Sequence, residues 1–517
     1  MVGSRGPNGA LLGACAGGLI VAASLLLRVI TGLPSLSEIL GNGLALLLPG
    51  NIFGTLIDTL QERGRPLLLL GASVLIVFVG AVIGRWLARW SWASVAPYPA
   101  APATRRGKAL LRWLVPAIGL WILTLPLVVI GEGSISVSAT WLALLDWLVL
   151  SGLIEVLLTM PEAGGSQPGA VRQTQEGAHT RRTFLAGAGA VFGAITLGYL
   201  GVNVLRAASP PVPRLNLGRP TGGPGDRLPE GITPTPDFYV VSKDLFGPPA
   251  VDAATWQLRV DGLNPYSLSY QELLSEPHLN QTQTLECISN PVAGTLISTG
   301  VWRGVQLSRL LERAGVPSST VQIVFGCADG YTESLPLAQA MAPTTLVADH
   351  LNGRPLNAEH GYPARILVVD HYGMKNPKWL TSVGPSAHPY FGYWEEQGWN
   401  AGAYPKTFSR FDFPAGNSSL SAGRSYLLTG VAWAGTRGIS AVELSFDGSR
   451  NWTKAKLIPP LSPYTWTLWS YPWTPPEGFY TVRLRARDGL GHYQPANQTS
   501  SYPSGASAYQ ELTLLIR

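Results

Sequence analysis

Cys287, in the stretch Thr284-Leu-Glu-Cys-Ile-Ser-Asn290, has the setting of a metal ligand, and a metal held by one thiolate would make the chain a redox protein. The other cysteines are Cys15, in a distant apolar run, and Cys327. No disulfide framework follows from so few. Spacing alone leaves a Cys287–Cys327 bridge open, and a cysteine without further context is by default a small buried apolar residue.

The elements that must position Cys287 lie in the second of two unlike halves. In the first half, residues 6–27 and 66–84 carry no charge, and each is long enough as a helix to span about 30 Å of hydrocarbon. Between Trp113 and Met160 the charges are Glu132, Asp146 and Glu155, and the Gly- and Ser-bearing stretch 131–140 divides two further spans, 113–130 and 141–160. Residues 183–205 make a fifth. The uncharged run 41–57, broken by Pro49-Gly50, reads as an interfacial or re-entrant piece, with a sixth span as the alternative.

Basic residues in short loops favour the cytoplasmic side. Arg85, Arg89, Arg105, Arg106, Lys108 and Arg112 follow the second span, and Arg172, Arg181 and Arg182 precede the fifth, whereas the turn between the third and fourth has none. Five spans therefore place the N-terminus inside and the second half outside. Thr180-Arg-Arg-Thr-Phe-Leu185 before an apolar run also resembles a twin-arginine export signal. Asp146 and Glu155 could serve a proton path or sit near the interfaces.

A linker rich in Pro and Gly, 207–236, leads into sequence of mixed pattern. Trp256-Gln-Leu-Arg-Val-Asp-Gly alternates as a strand does, and Gln306 to Ala314 has apolar residues at helical spacing with Gly315 as its stop. Val321 to Phe325 and Arg365 to Val369 read as strands, and Pro336 to Met341 as a short helix. The class is α+β over residues 237–405.

Several motifs now fall into one order: Thr284–Asn290; Ile297-Ser-Thr; Trp302-Arg-Gly304; Asp329-Gly-Tyr; His360-Gly-Tyr-Pro-Ala-Arg365; and Tyr372-Gly-Met-Lys-Asn-Pro-Lys378-Trp-Leu380. In order and spacing the set resembles the sulfite oxidase family of molybdopterin enzymes, over Phe238 to Trp399. The resemblance implies a molybdenum–molybdopterin cofactor whose metal is ligated by Cys287. A soft thiolate suits molybdenum held by sulfur donors, the pterin dithiolene supplying the others. His360, Arg365 and Lys378 would hold the pterin phosphate, Lys375 would be an extra contact, and Asn290 would orient the cysteine loop. Taken singly, each cation also reads as an ordinary loop or strand-edge residue. Cys327 reads as a core cysteine.

Two departures from the family bear on substrate. Trp399, in Tyr393-Trp-Glu-Glu-Gln-Gly-Trp399, occupies the position where sulfite-oxidising members place a catalytic tyrosine. An indole donates one hydrogen bond but lacks phenol acid chemistry. Pro291-Val-Ala-Gly294 replaces the arginine-rich stretch that follows the cysteine in sulfite oxidases, so a doubly charged anion would be held less well. The sequence is closer to membrane-associated bacterial relatives, among which periplasmic methionine-sulfoxide reductase is the best-known function.

Residues 406–517 contain alternating runs, Ala441 to Phe446 and Tyr480 to Ala486, separated by turns such as Asp447-Gly-Ser. They read as an immunoglobulin-like β-sandwich, similar to the domain that supports dimerisation in sulfite oxidases. Trp433, Trp452, Trp466, Trp469 and Trp473 read as packing rather than a binding cage.

The histidines, His179, His278, His350, His360, His371, His388 and His492, avoid the expected spans, which argues against a bis-histidine haem in the membrane. No Cys-x-x-Cys-His and no iron–sulfur cysteine set occurs, so electrons would pass to or from an external partner, a cytochrome or a quinone-linked protein. Most of the basic excess behind the net charge of +6 lies in the expected cytoplasmic membrane loops, and no basic, aromatic groove suggests nucleic acid. The sequons at Asn280, Asn417, Asn451 and Asn497 are expected by chance in a chain of this length.

The leading expectation is a membrane-anchored, extracytoplasmic molybdopterin oxidoreductase acting on a small molecule of the sulfoxide type. Sulfite-dehydrogenase-like activity and a non-catalytic sensor or scaffold are the alternatives.

Overall fold

The computed structural model describes residues 9–31, 35–46, 64–93, 115–122, 143–151, 153–154, 231–243, 248–414 and 419–517. They belong to two compact units, one within the first 209 residues and one holding everything described from 231 onward.

In the first unit, helix Gly9–Thr31 and helix Gly64–Ala93 contain segments long and apolar enough to cross a membrane, Gly9–Leu27 and Leu67–Ala88, with mean hydropathies of 2.3 and 2.7. The second helix runs past residue 84 through Arg85 and Arg89, because loss of hydropathy ends a span but not a helix. The two helices touch through glycine. A Cβ on Gly13 would lie 1.9 Å from the Gly80 carbonyl oxygen, and one on Gly84 would lie 2.1 Å from that of Gly9. Close backbone approach is how helices pack where apolar side chains already have lipid as solvent. Val74, Phe78 and Val82 point outward on the longer helix. A third helix, Leu36–Leu46, covers the start of the 41–57 run and opens with Ser35 and Glu38 bonded reciprocally to each other's backbone N–H.

Residues 115–122 and 143–154, where described, are helical, within the expected third and fourth spans. The fifth span, the twin-arginine stretch, the linker up to residue 230, and residues 47–57 lie outside the described residues.

The second unit begins with the α+β part. Its strands are β1 Gln257–Val260, β2 Tyr266–Ser269, β3 His278–Glu286, β4 Ile297–Gln306, β5 Gln322–Cys327, β6 Thr332–Pro336, β7 Leu346–Leu351, β8 Arg354–Pro355, β9 Arg365–Leu367 and β10 Leu380–Ser386. One sheet has the order β2-β1-β10-β5-β6, with β1 and β10 parallel; the other runs β3-β4-β7-β8, with β9 added on β7. Helix Leu307–Ala314 buries Leu307, Leu310, Leu311 and Ala314 between them and ends at Gly315, whose φ of +70° suits glycine. The short helix expected at 336–341 is present as Leu337–Ala340.

The rest is all β: β11 Phe408–Phe413, β12 Ser419–Leu420, β13 Tyr426–Trp433, β14 Ile439–Ser445, β15 Thr453–Lys454, β16 Lys456–Ile458, β17 Thr467–Trp473, β18 Gly478–Asp488 and β19 Gln510–Ile516. Sheets β11-β13-β17-β16 and β12-β19-β18-β14-β15 share one core, in which Phe411, Leu428 and Trp469 meet Val442, Leu484 and Leu514. Trp433 and Trp466 fill a separate cluster with Ile297 of β4, which joins the all-β part to the α+β part. Trp452 instead carries the Arg485 guanidinium 3.9 Å from its ring centre.

Candidate active site

The β3–β4 hairpin presents the cysteine. Cys287 is the first residue past β3, and its N–H donates to the Leu296 carbonyl at 2.9 Å, which closes the loop. Asn290 braces the interior. Its Nδ2 donates to Glu286 Oε1 at 3.0 Å and its Oδ1 accepts from Leu296 N at 3.0 Å. A Cβ on Gly294 would sit 2.3 Å from that Oδ1, so glycine is required where Pro291 to Gly294 turns beneath the asparagine. Burial pushes the Cys287 thiol pKa up, while the Ser289 hydroxyl, 3.0 Å from Sγ, draws it down.

The three residues of the expected phosphate cradle meet around Gly361. This residue has φ +104°, and a Cβ there would lie 3.0 Å from Lys378 Cβ and 3.2 Å from Arg365 Cβ. Glycine thus lets the chain carrying His360 pass between the two basic stems. The His360 Nε2 donates to the Thr235 carbonyl at 3.3 Å, and burial, then Arg365, holds the imidazole down to about 4. It is neutral at pH 7. Arg365 donates from Nη1 to the His360 carbonyl at 3.2 Å and from Nη2 to the Asn376 carbonyl at 2.8 Å, over the face of Trp302. Its Nε is buried without a partner. An unsatisfied donor on a buried guanidinium is costly, and a bound phosphate oxygen would satisfy it. Lys378 Nζ donates to the carbonyls of Val241 and Glu359 at 3.0 and 2.9 Å and acts electrostatically on Cys287.

Lys375 is placed elsewhere. Its ammonium donates to Glu333 Oε1 at 2.8 Å, to the Ser334 carbonyl at 3.2 Å and to Glu395 Oε1, which occupies all three N–H bonds inside the protein. It ties β6 to helix Tyr393–Glu396. Tyr331 O–H joins the same cluster through Glu333 Oε2 at 3.1 Å.

Trp399 lies beside the cysteine loop, in a cluster with Ile288, Tyr372, Met374 and Ala403. Its indole N–H is buried and unpartnered, so it remains available to a ligand oxygen. The all-β part supplies the wall: Tyr502 stands edge-on to Trp399 with ring centres 5.3 Å apart.

Nothing in the motif spacing points to Tyr502, Tyr239 or Arg410, and Glu286 stands in the cysteine motif without an assigned role. Tyr239 is coupled electrostatically to Cys287, Arg365 and Glu286, and burial pushes its phenol well up. The Glu286 carboxyl is raised to about 8, chiefly by burial, and so carries a proton at neutral pH. Its one sequence signal is an acid at an inward position of an apolar strand end.

The family model for the oxidoreductase molybdopterin binding domain matches residues 246–394. The uncharacterized oxidoreductase YuiH of Bacillus subtilis (strain 168) is 31% identical over 162 residues, which cover 31% of this chain and 80% of that protein. Mitochondrial sulfite oxidase of Homo sapiens is 28% identical over 320 residues, 52% of this chain and 58% of its own length. A putative protein-methionine-sulfoxide reductase subunit, YedZ1, of Azospira oryzae is 31% identical over 152 residues, 29% of this chain and 56% of that one. Among solved structures, the sulfane dehydrogenase SoxCD from Paracoccus pantotrophus covers 57% of this chain and 86% of its own at a TM-score of 0.50 and 22% identity, a likeness of fold. The chain spans little more than half the length of the mitochondrial sulfite oxidases it matches. It has the fold of a molybdopterin-binding oxidoreductase, and it belongs to the sulfite oxidase family of those enzymes.

Proposed function

We propose that the chain is a membrane-anchored molybdopterin oxidoreductase that exchanges an oxygen atom, or two electrons, with a sulfoxide-type substrate at molybdenum ligated by Cys287. The observation that carries this reading is the convergence of His360, Arg365 and Lys378 on Gly361, with the unpartnered Arg365 Nε, in the same unit as the buried thiol. Bound molybdenum would supply the two-electron oxygen-atom transfer. The residues do the rest: Cys287 holds the metal, the three basic side chains hold the pterin phosphate, and Asn290 keeps the loop in shape. The Trp399 N–H donates to the substrate oxygen. Reduction of a sulfoxide consumes two electrons and two protons and releases water, and the protonated Glu286 carboxyl is one proton store beside the thiol.

Sulfoxides are favoured over sulfite by the neutral, aromatic surroundings of Trp399 and by the uncharged turn from Pro291 to Gly294. In this reading residues 1–206 anchor the protein in the cytoplasmic membrane through several spans, 207–236 link them to a catalytic domain, 237–405, on the extracytoplasmic side, and an immunoglobulin-like domain, 406–517, supports a homodimer. The two long apolar helices support the anchor, and the shared core of the two C-terminal sheets supports the sandwich. Electrons come from a cytochrome or a quinone-linked membrane protein.

The test is purification from a host that makes molybdopterin, metal analysis, and turnover against sulfoxides, N-oxides and sulfite. About one molybdenum per chain with sulfoxide reduction is expected, and Cys287→Ser should abolish turnover with the fold intact. Molybdenum far below one per chain would favour a sensor or scaffold; rapid sulfite turnover would overturn the role given to Trp399.

A further inference from the structure

The side chain that meets the Cys287 sulfur is Ser289, two residues on, with Oγ 3.0 Å from Sγ. Cys287 is 8% exposed and Ser289 7%, so solvent cannot readily stand in for the hydroxyl. While the sulfur carries a proton, either atom of the Sγ–Oγ pair can donate. A metal-bound sulfur has lost its proton and can only accept, so the Ser289 hydroxyl must then be the donor.

That direction has a redox consequence. A hydrogen bond to a ligand sulfur is stronger when the sulfur bears more charge, as it does when the metal is more reduced. It therefore favours the reduced state and raises the reduction potential. We propose that Ser289 is a positioning residue that raises the reduction potential of the metal held by Cys287, through its hydroxyl hydrogen bond to the ligand sulfur. The inference rests on Cys287 being the protein ligand. Separately, the buried Arg365 Nε has no partner, as a donor reserved for an anionic group would.

The experiment is a potentiometric titration of the full-length, molybdenum-loaded protein with mediators that deliver electrons one at a time, followed by electron paramagnetic resonance, for the native chain, Ser289→Ala and Ser289→Thr. Alanine deletes the hydroxyl and should lower the one-electron reduction equilibrium constant about tenfold, a shift of about 59 mV to more negative potential. Threonine keeps the hydroxyl and should restore the native potential. An unshifted potential in a fully loaded alanine variant, or loss of metal from both variants, would overturn the inference. Loss of metal from the alanine variant alone would also overturn it, since the hydroxyl would then serve to keep the sulfur in place rather than to set the potential. X-ray absorption of Cys287→Ser separates this failure from failure of the underlying reading. If Cys287 is the ligand, that variant loses one metal–sulfur bond whatever Ser289 does; an unchanged sulfur count would remove both claims.

Discussion

Arg410 Nη1, on the first strand of the all-β part, donates to the Gly294 carbonyl at 2.9 Å, so an arginine distant in sequence grips the loop that carries Cys287. Its Nε is paired with Asp412 Oδ1 at 2.7 Å, and its charge opposes the rise in the Glu286 pKa. Thr284 N–H donates to the Tyr464 carbonyl and Thr436 N–H to Asp370 Oδ1, both at 2.9 Å, and these make the same connection at other points. The C-terminal sheets are thus part of the site's scaffold.

Replacing Arg410 by methionine keeps most of the apolar stem and removes a nearly buried charged hydrogen bond. A loss of about 1.5–3 kcal/mol in denaturant unfolding is expected, together with reduced molybdenum content, because the cysteine loop loses its outer support. Loss of stability with native metal content would show that the contact holds the domains but not the site.

Lys375→Met should destabilise by about 3–5 kcal/mol, since it leaves the Glu333 and Glu395 carboxylates facing each other with no cation between them. Adding Glu333→Gln should recover part of the loss. Thermal unfolding of the single and double variants checks both statements.

His360 sets a stability slope at acid pH. Its folded pKa of about 4 lies below the ordinary value of 6.5, so between those values the unfolded chain binds a proton that the folded chain refuses. Its contribution to stability is full above pH 6.5 and is lost as pH falls toward about 4. His360→Gln should flatten that part of a stability-against-pH curve measured by urea unfolding.

Gly13→Val and Gly71→Ala should behave oppositely. The first puts a side chain where 1.9 Å separates a Cβ from the Gly80 carbonyl, whereas nothing lies within 4 Å of a Cβ on Gly71. The first should loosen the helix pair and lower the thermal midpoint of the membrane unit in detergent. The second should leave it unchanged or raise it, by up to about 1 kcal/mol of helix propensity.

Local features were legible in the sequence wherever a short-range rule governs them. Helix Leu307–Ala314 with its Gly315 cap, strand β1 and strand β5 lie within about two residues of where periodicity and turn residues put them. For Lys375, motif spacing reports that a lysine is near the site, not which groups its ammonium meets. Only the packing of β6 against helix Tyr393–Glu396 turns its ammonium to two carboxylates.

The sequence by itself determined the family, through ordered motifs around Cys287, His360, Arg365 and Lys378, and the presence of long apolar segments. Both are properties of residues close in the chain, where composition and spacing carry the physics. The tertiary structure alone decided that Gly361 lets His360, Arg365 and Lys378 come together, that Arg410 and Tyr502 reach the site from the C-terminal sheets, and that Ser289 meets the sulfur. The first two depend on contacts between distant segments, which spacing along the chain does not encode, and the last on the turn of a loop that those contacts hold.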